Sequence, residues 1–274
     1  MQQAQDFEDE NEALRILLSS LTDEEFEMPT LFKNWTINDI IRHLHVWNIA
    51  ADLSLNDEEA FDAFIQVMKT GIKEGRLRTF EYDYLQGLSG QSLVTRWVQQ
   101  FRAMAVGFAH ADRRRRVKWV GPEMSVISSI TARLMETWAH AQAIYDVLGT
   151  PRSDADRIGN IVRLGVNTYG WTFNNRRQEI PGAMPRLELT APSGVIWVYG
   201  DDPGHAGDAR SMIKGNAAEF CQVVTQCRNI ADTSLELSGD VAHAWMAVAQ
   251  CFAGPPQDPP PAGARYMKNR GAFK

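Results

Sequence analysis

The chain has 274 residues, of which 44% are hydrophobic and 23% charged, the balance of an ordinary globular protein and not of a disordered, collagen-like or low-complexity one. Its 28 Lys+Arg against 34 Asp+Glu leave a net charge of −6, which argues against sequence-independent nucleic-acid binding, because that needs a basic face. Three cysteines without a C-x-x-C pair exclude a disulfide framework or a cysteine-held metal and read as reduced thiols.

The N-terminal MQQAQDFEDENEALR is acidic and polar where a signal peptide would be basic and then apolar. No apolar stretch approaches the ~20 residues of a membrane helix, so the expectation is a cytoplasmic protein with no membrane or nucleic-acid partner. Phe7, Leu14, Leu17, Leu18 and Leu21 predict a first helix. Pro29 and Lys33-Asn34-Trp35 mark a connection, and Thr36 with Asp39 resembles a capping box with Asp in place of Glu. A helix should follow, with Ile37, Ile40, Ile41, Leu44, Asn48 and Ala51 near one face. Further helices are predicted over 57–71, 91–109 and 125–148, the last closed by Gly149 and Pro151. Arg113 to Arg116 interrupt the pattern and read as a solvated loop.

Beyond Pro151 one more helix is expected over 153–169, after which the pattern changes. Residues 186–190 alternate, Pro192-Ser193-Gly194 is a turn and 195–199 are β-branched and aromatic, which together predict a β-hairpin. A loop from Gly200 to Asp208, a helix over 217–227, a strand at 235–237 and a helix over 240–252 complete the pattern. The tail from Gly254 is rich in proline and should be an extended arm. The fold class is therefore α+β: an all-α domain to about residue 165, a small α+β domain over 166–253 and a tail over 254–274.

Three side chains stand out as chemistry. Glu136 and His140 are four apart on one predicted helix, so they project from one face about 5–6 Å apart. A carboxylate and an imidazole so placed can share a divalent ion, and His43 on another helix can supply a third ligand, leaving a fourth position open as a catalytic zinc requires. The plainer alternative makes each an ordinary surface or core residue. Arg133, one turn before Glu136, can orient that carboxylate or bind an anionic substrate. Arg176 and Arg177, at the junction of the two domains, can clamp a carboxylate at the mouth of the site. Trp119 and Met124 are candidates to wall a pocket, and Trp47, Trp97 and Trp138 read as core. His110, His205 and His243 lack partner spacing.

The segment NWTINDIIRHLHVWN (34–48), followed about ninety residues later by RLMETWAHAQAIYD (133–146), resembles the mycothiol-dependent maleylpyruvate isomerase family. The former is similar to that family's G-W-T-v-r-D-l-v-x-H-L signature, with Asn34 where Gly is usual. The latter is similar to its R-x-x-E-x-x-x-H helix, carried by Arg133, Glu136 and His140. Ala143 stands near where the family often has an Asp, which weakens any acid–base role on this helix. WTFNNRRQEIP, ELTAPSGVIWVYG and AWMAVAQCFAGPP extend the likeness to a subfamily of metal-binding proteins.

The resemblance implies a DinB-like metal-binding four-helix bundle followed by a small sterol-carrier-like α+β domain. It implies that His43, Glu136 and His140 are the metal ligands. The signature places its histidine just before the Leu, which selects His43 over His45; the two lie about 200° apart around the helix and cannot face one ion. His45 is then expected to meet a carboxylate or solvent. The implied cofactors are a divalent metal, zinc by preference, and a low-molecular-weight thiol activated on it to attack a small electrophile. In the family such a thiolate adds to a cis double bond, the adduct rotates, and elimination returns the trans isomer. A pocket between the two domains is expected to receive the substrate, and no cysteine lies near the motifs, in keeping with an external thiol. A homodimer is compatible with the sequence. The contrasting expectation is a non-catalytic protein with a structural ion and an apolar ligand in its second domain. Metal-activated water ranks below both, because no general base is evident.

Overall fold

The computed structural model describes residues 1–73, 75–200 and 211–269. The expected loop over 201–208, with His205, lies outside the described residues. The chain forms two compact units, Met1–Leu148 and Gly149–Lys274. No helix among the described residues is long and apolar enough to cross a membrane.

The first unit contains α1 (Gln2–Leu18), α2 (Asp23–Phe26), α3 (Ile37–Asn56), α4 (Glu58–Lys73), α5 (Leu77–Tyr84) and α6 (Gly90–His110). A short antiparallel pair, β1 (Arg116–Val117) and β2 (Met124–Ser125), then leads into α7 (Val126–Leu148). Helices α1 and α3 each pack on both α6 and α7. Their apolar stripes meet in a core that fully buries Phe7, Trp97, Phe101, Phe108 and Trp138.

The second unit holds α8 (Gly159–Asn167), α9 (Tyr169–Asn175), β3 (Arg186–Thr190), β4 (Ile196–Tyr199), β5 (Met212–Asn216), α10 (Ala217–Val224), β6 (Glu236–Ser238) and α11 (Asp240–Met246). The strands form one mixed sheet in the order β4-β3-β5-β6, with β3 and β5 parallel and both outer pairs antiparallel. The expected hairpin is present, with Leu187 opposite Tyr199 and Leu189 opposite Trp197. Leu187, Leu189 and Ile213 are fully buried, and α10 packs on β3 and β5. The α+β class therefore holds.

The units divide at Leu148, earlier than the expected boundary near 165, because α8 packs on α10. Gly165 is the point of approach: a Cβ there would meet Phe220 at 3.0 Å and Val224 at 3.2 Å. The helix expected over 153–169 is a turn, then α8, then α9, with Thr168 between the two helices. Short α2 and α5 were not anticipated, nor was β5, whose Lys214-Gly215-Asn216 are weak strand formers. The tail is without helix or strand as far as residue 269, yet it is bonded to its own unit: Gln226 donates to Gln257 O at 2.7 Å and Asn229 to Pro260 O at 2.8 Å.

Candidate metal centre

The site begins in the loop before α3. Lys33 and Asn34 both take left-handed backbone angles, φ 52° and 56°. Gly adopts that region freely and Asn tolerates it, which explains why Asn34 can occupy a position where the resembled signature has Gly. The tight reversal is closed by Trp35 N–H donating to Phe32 O at 2.9 Å and Thr30 N–H donating to Trp35 O at 2.8 Å. Thr36 then caps α3: its hydroxyl accepts from Asp39 N–H and its own N–H donates to the Asp39 carboxylate, both at 3.1 Å. The reversal also places two rings. Trp35 stacks on His140 at 5.8 Å and meets His43 edge-on at 5.2 Å, while Phe32 meets His140 edge-on at 5.0 Å.

Helices α3 and α7 pack side by side, bringing His43, Glu136 and His140 to one point. Their candidate ligand atoms all lie within 4.8 Å of one another. Nε2 of His140 is 3.3 Å, and Nε2 of His43 3.9 Å, from the same Oε2 of Glu136. Atoms about 2.0–2.2 Å from a tetrahedral ion stand roughly 3.3–3.6 Å apart, so this set fits one ion with small side-chain adjustments. The histidine side chains are 11% exposed and Glu136 27%, which leaves the open edge of the site on the carboxylate side.

Protonation favours ligation. Burial by itself would raise the Glu136 carboxyl; the hydrogen bond with His140, then the charges of His140, Arg133 and His43, outweigh it and hold the pKa down at about 2. Burial lowers His140, against the upward pull of its bond to Glu136. An ionised carboxylate beside a neutral imidazole is the state that binds a metal.

Glu81, on α5, is a site residue that the sequence did not single out. It is 1% exposed, and its Oε1 lies 2.7 Å from His43 Nδ1 and accepts from Trp47 Nε1 at 3.2 Å. Trp47, expected as plain core, is therefore only partly buried and bonded to this carboxylate; it also packs on Trp119, ring centroids 5.6 Å apart. The sole sequence signal for Glu81 is a carboxylate set among the aromatics Phe80, Tyr82 and Tyr84.

Arg133 is 2% exposed and turned inward: Nε donates to Asn48 Oδ1 at 3.0 Å and Nη2 to Leu44 O at 3.4 Å. Burial lowers its pKa to about 10, with Glu136 and Glu81 pulling the other way, so it remains a fixed positive charge beside two carboxylates. Arg176 lies in the second unit, paired with Asp258 at 2.8 Å and bonded to Gln257 O. Arg177 is exposed.

His45 departs from expectation. It meets no carboxylate among the described residues and is almost enclosed: it is 4% exposed, its Nδ1 has no hydrogen-bond partner among them, and burial, then the charge of Arg96, lowers its pKa to about 4. His110 and His243 are exposed, each bonded to a carbonyl four residues earlier. Gln142 donates to Asp146 at 3.0 Å. Arg115 and Arg116, expected to be simply solvated, donate to Leu55 O and Glu123 O.

A sequence profile described as the mycothiol maleylpyruvate isomerase N-terminal domain matches residues 7–145, a span that includes all three candidate ligands. Two uncharacterised proteins of Mycobacterium tuberculosis, from strains CDC 1551 / Oshkosh and ATCC 25618 / H37Rv, are each 33% identical over 252 residues. Each alignment covers 92% of this chain and 95% of the relative. Among solved structures, the mycothiol-dependent maleylpyruvate isomerase superposes with a TM-score of 0.54 at 18% identity, covering 86% of this chain and 92% of that one. A histidine-to-alanine mutant of that isomerase gives 0.51 at 18%, covering 81% and 87%. At such identity the likeness is one of fold.

Proposed function

The chain belongs to the mycothiol maleylpyruvate isomerase N-terminal domain family, and from that premise we propose that it is a metal-dependent enzyme that uses a small thiol to isomerise, or to transfer to, a small electrophilic substrate. The observation that carries the reading is the convergence of His43, Glu136 and His140 with Glu136 on the open edge. A divalent ion held there, zinc by preference, would supply the Lewis acidity that turns a bound thiol into a thiolate near neutral pH.

The remaining parts are the protein's own. Glu136, held ionised, would offset the charge of an ion held there. Phe32 and Trp35 shield the imidazoles from water, which strengthens the electrostatics at the site. Arg133 offsets the carboxylates of Glu136 and Glu81 and ties α7 to α3 through Asn48 and Leu44. The nucleophile comes from outside, because Cys221, Cys227 and Cys251 are all buried and burial raises the Cys221 thiol well above its usual range. An anionic substrate would need a cation other than the enclosed Arg133.

The test is turnover of a cis-enedioate, and of other soft electrophiles, with and without added thiols. The wild type is expected to show thiol-dependent turnover with about one divalent ion per chain. Glu136→Ala and His140→Ala should lose both ion and rate. Equal rates in wild type and Glu136→Ala would remove the metal from the mechanism, and no turnover with any thiol would leave the ion a structural role.

A further inference from the structure

We propose that Glu81 is the positioning residue of the metal centre: it sets the tautomer of His43 so that the Nε2 lone pair faces Glu136 and His140. The inference rests on the metal reading above for its purpose, but on independent geometry for its content. An indole N–H only donates, so the Glu81 oxygen that Trp47 Nε1 reaches at 3.2 Å is an acceptor. With that oxygen already accepting from the indole, His43 Nδ1, 2.7 Å away, is assigned the proton of their shared bond. The other nitrogen, Nε2, points to Glu136 Oε2 at 3.9 Å and is free to donate its lone pair to an ion. A carboxylate behind a ligating histidine both fixes the ring and makes it a better donor.

The setting is built for this task. Helix α5 packs on α3 and α4. Arg42 of α3 lies over the Tyr82 ring at 5.0 Å, and Arg78 of α5 pairs with Asp39 of α3 at 3.4 Å. Phe80 and Tyr84 meet Phe64 of α4 at 5.9 and 5.2 Å. These contacts hold Glu81 beneath His43 with 1% exposure. A buried carboxylate is costly to folding, and an apolar residue at this position would pack without that cost. A role toward the site accounts for its presence.

Two measurements on the full chain test the proposal. Zinc affinity, by competition with a chromophoric chelator, should fall roughly 10–100-fold in Glu81→Ala. It should fall less in Glu81→Gln, whose amide oxygen can still accept from Nδ1. Glu58→Gln, which alters only an exposed partner of Lys118, should leave affinity unchanged. Nitrogen NMR of the metal-free, histidine-labelled protein should show His43 protonated on Nδ1 in the wild type and redistributed toward Nε2–H in Glu81→Ala. A merely structural carboxylate would change thermal stability and leave that tautomer as it was. Wild-type His43 carrying its proton on Nε2, or a folded Glu81→Ala that loses less than about threefold in zinc affinity, would overturn the proposal. A wild type that binds no zinc would fell the metal reading, and the tautomer alone would then decide the role of Glu81.

Discussion

His43 and His45 lie two positions apart on α3, and the half-turn between them gives the two imidazoles opposite chemistry. His43 is braced by Glu81 and faces two other candidate ligands, whereas His45 is enclosed, with Nδ1 unpartnered among the described residues and Arg96 nearby. His45→Gln should therefore keep the metal. The same burial has a consequence for acid stability. Folding lowers the His45 pKa from 6.5 to about 4, so the unfolded chain takes up a proton first as the pH falls. The stabilisation is complete above about pH 6.5 and is lost as the pH falls towards 4, at a cost of about 2 kcal/mol by pH 5. His140 shifts in the same direction, so removing His45 should lessen the loss without abolishing it. Urea midpoints at pH 7 and pH 5 for wild type and His45→Gln measure this; identical pH differences would refute it. At this scale the E-x-x-x-H pair was legible because it lies within one helix turn. Glu81 was not, because nothing in FEYDY connects it with a histidine 38 positions earlier.

The long elements follow from periodicity and capping. Both reciprocal bonds of the Thr36–Asp39 box are present at the start of α3, and the same Asp39 pairs with Arg42 and with Arg78 of α5. Thr36→Ala should lower stability by about 1 kcal/mol, and Thr36→Ser by much less. Because the cap sets the entry of the helix that carries His43, the alanine variant should also weaken zinc binding, and chelator competition will show whether it does. Helices α6 and α7 were readable from their apolar repeats. Helices α2 and α5, of 4 and 8 residues, are too short for a repeat to declare itself, and no Pro marks the pause at Thr168 between α8 and α9. Strand β5 draws its strand character from β3, with which it pairs over five positions.

At the scale of the molecule, the tail contributes hydrogen bonds in place of a core of its own. Gln250, Gln226, Asn229 and Arg176 all bond to residues between 255 and 265. Deleting 255–274 strips several bonds of about 1 kcal/mol each and removes the donor to the buried Gln250 Oε1. The second unit should then melt at least about 5 °C lower, with the zinc stoichiometry of the first unit unchanged; calorimetry with metal analysis checks both, and an unaltered melting temperature would show the tail to be idle. What the sequence determined by itself was local: the capped α3, the candidate ligand pair on α7, the β3–β4 hairpin and the α+β class, each resting on interactions between residues a few positions apart. Tertiary structure alone decided the boundary at Leu148, the pairing of β5 with β3, the enclosure of His45 and Arg133, and the carboxylate of Glu81 behind His43. Those features depend on which faces of distant segments meet. Burial and hydrogen-bond partners are properties of that meeting, and no spacing along the chain encodes them.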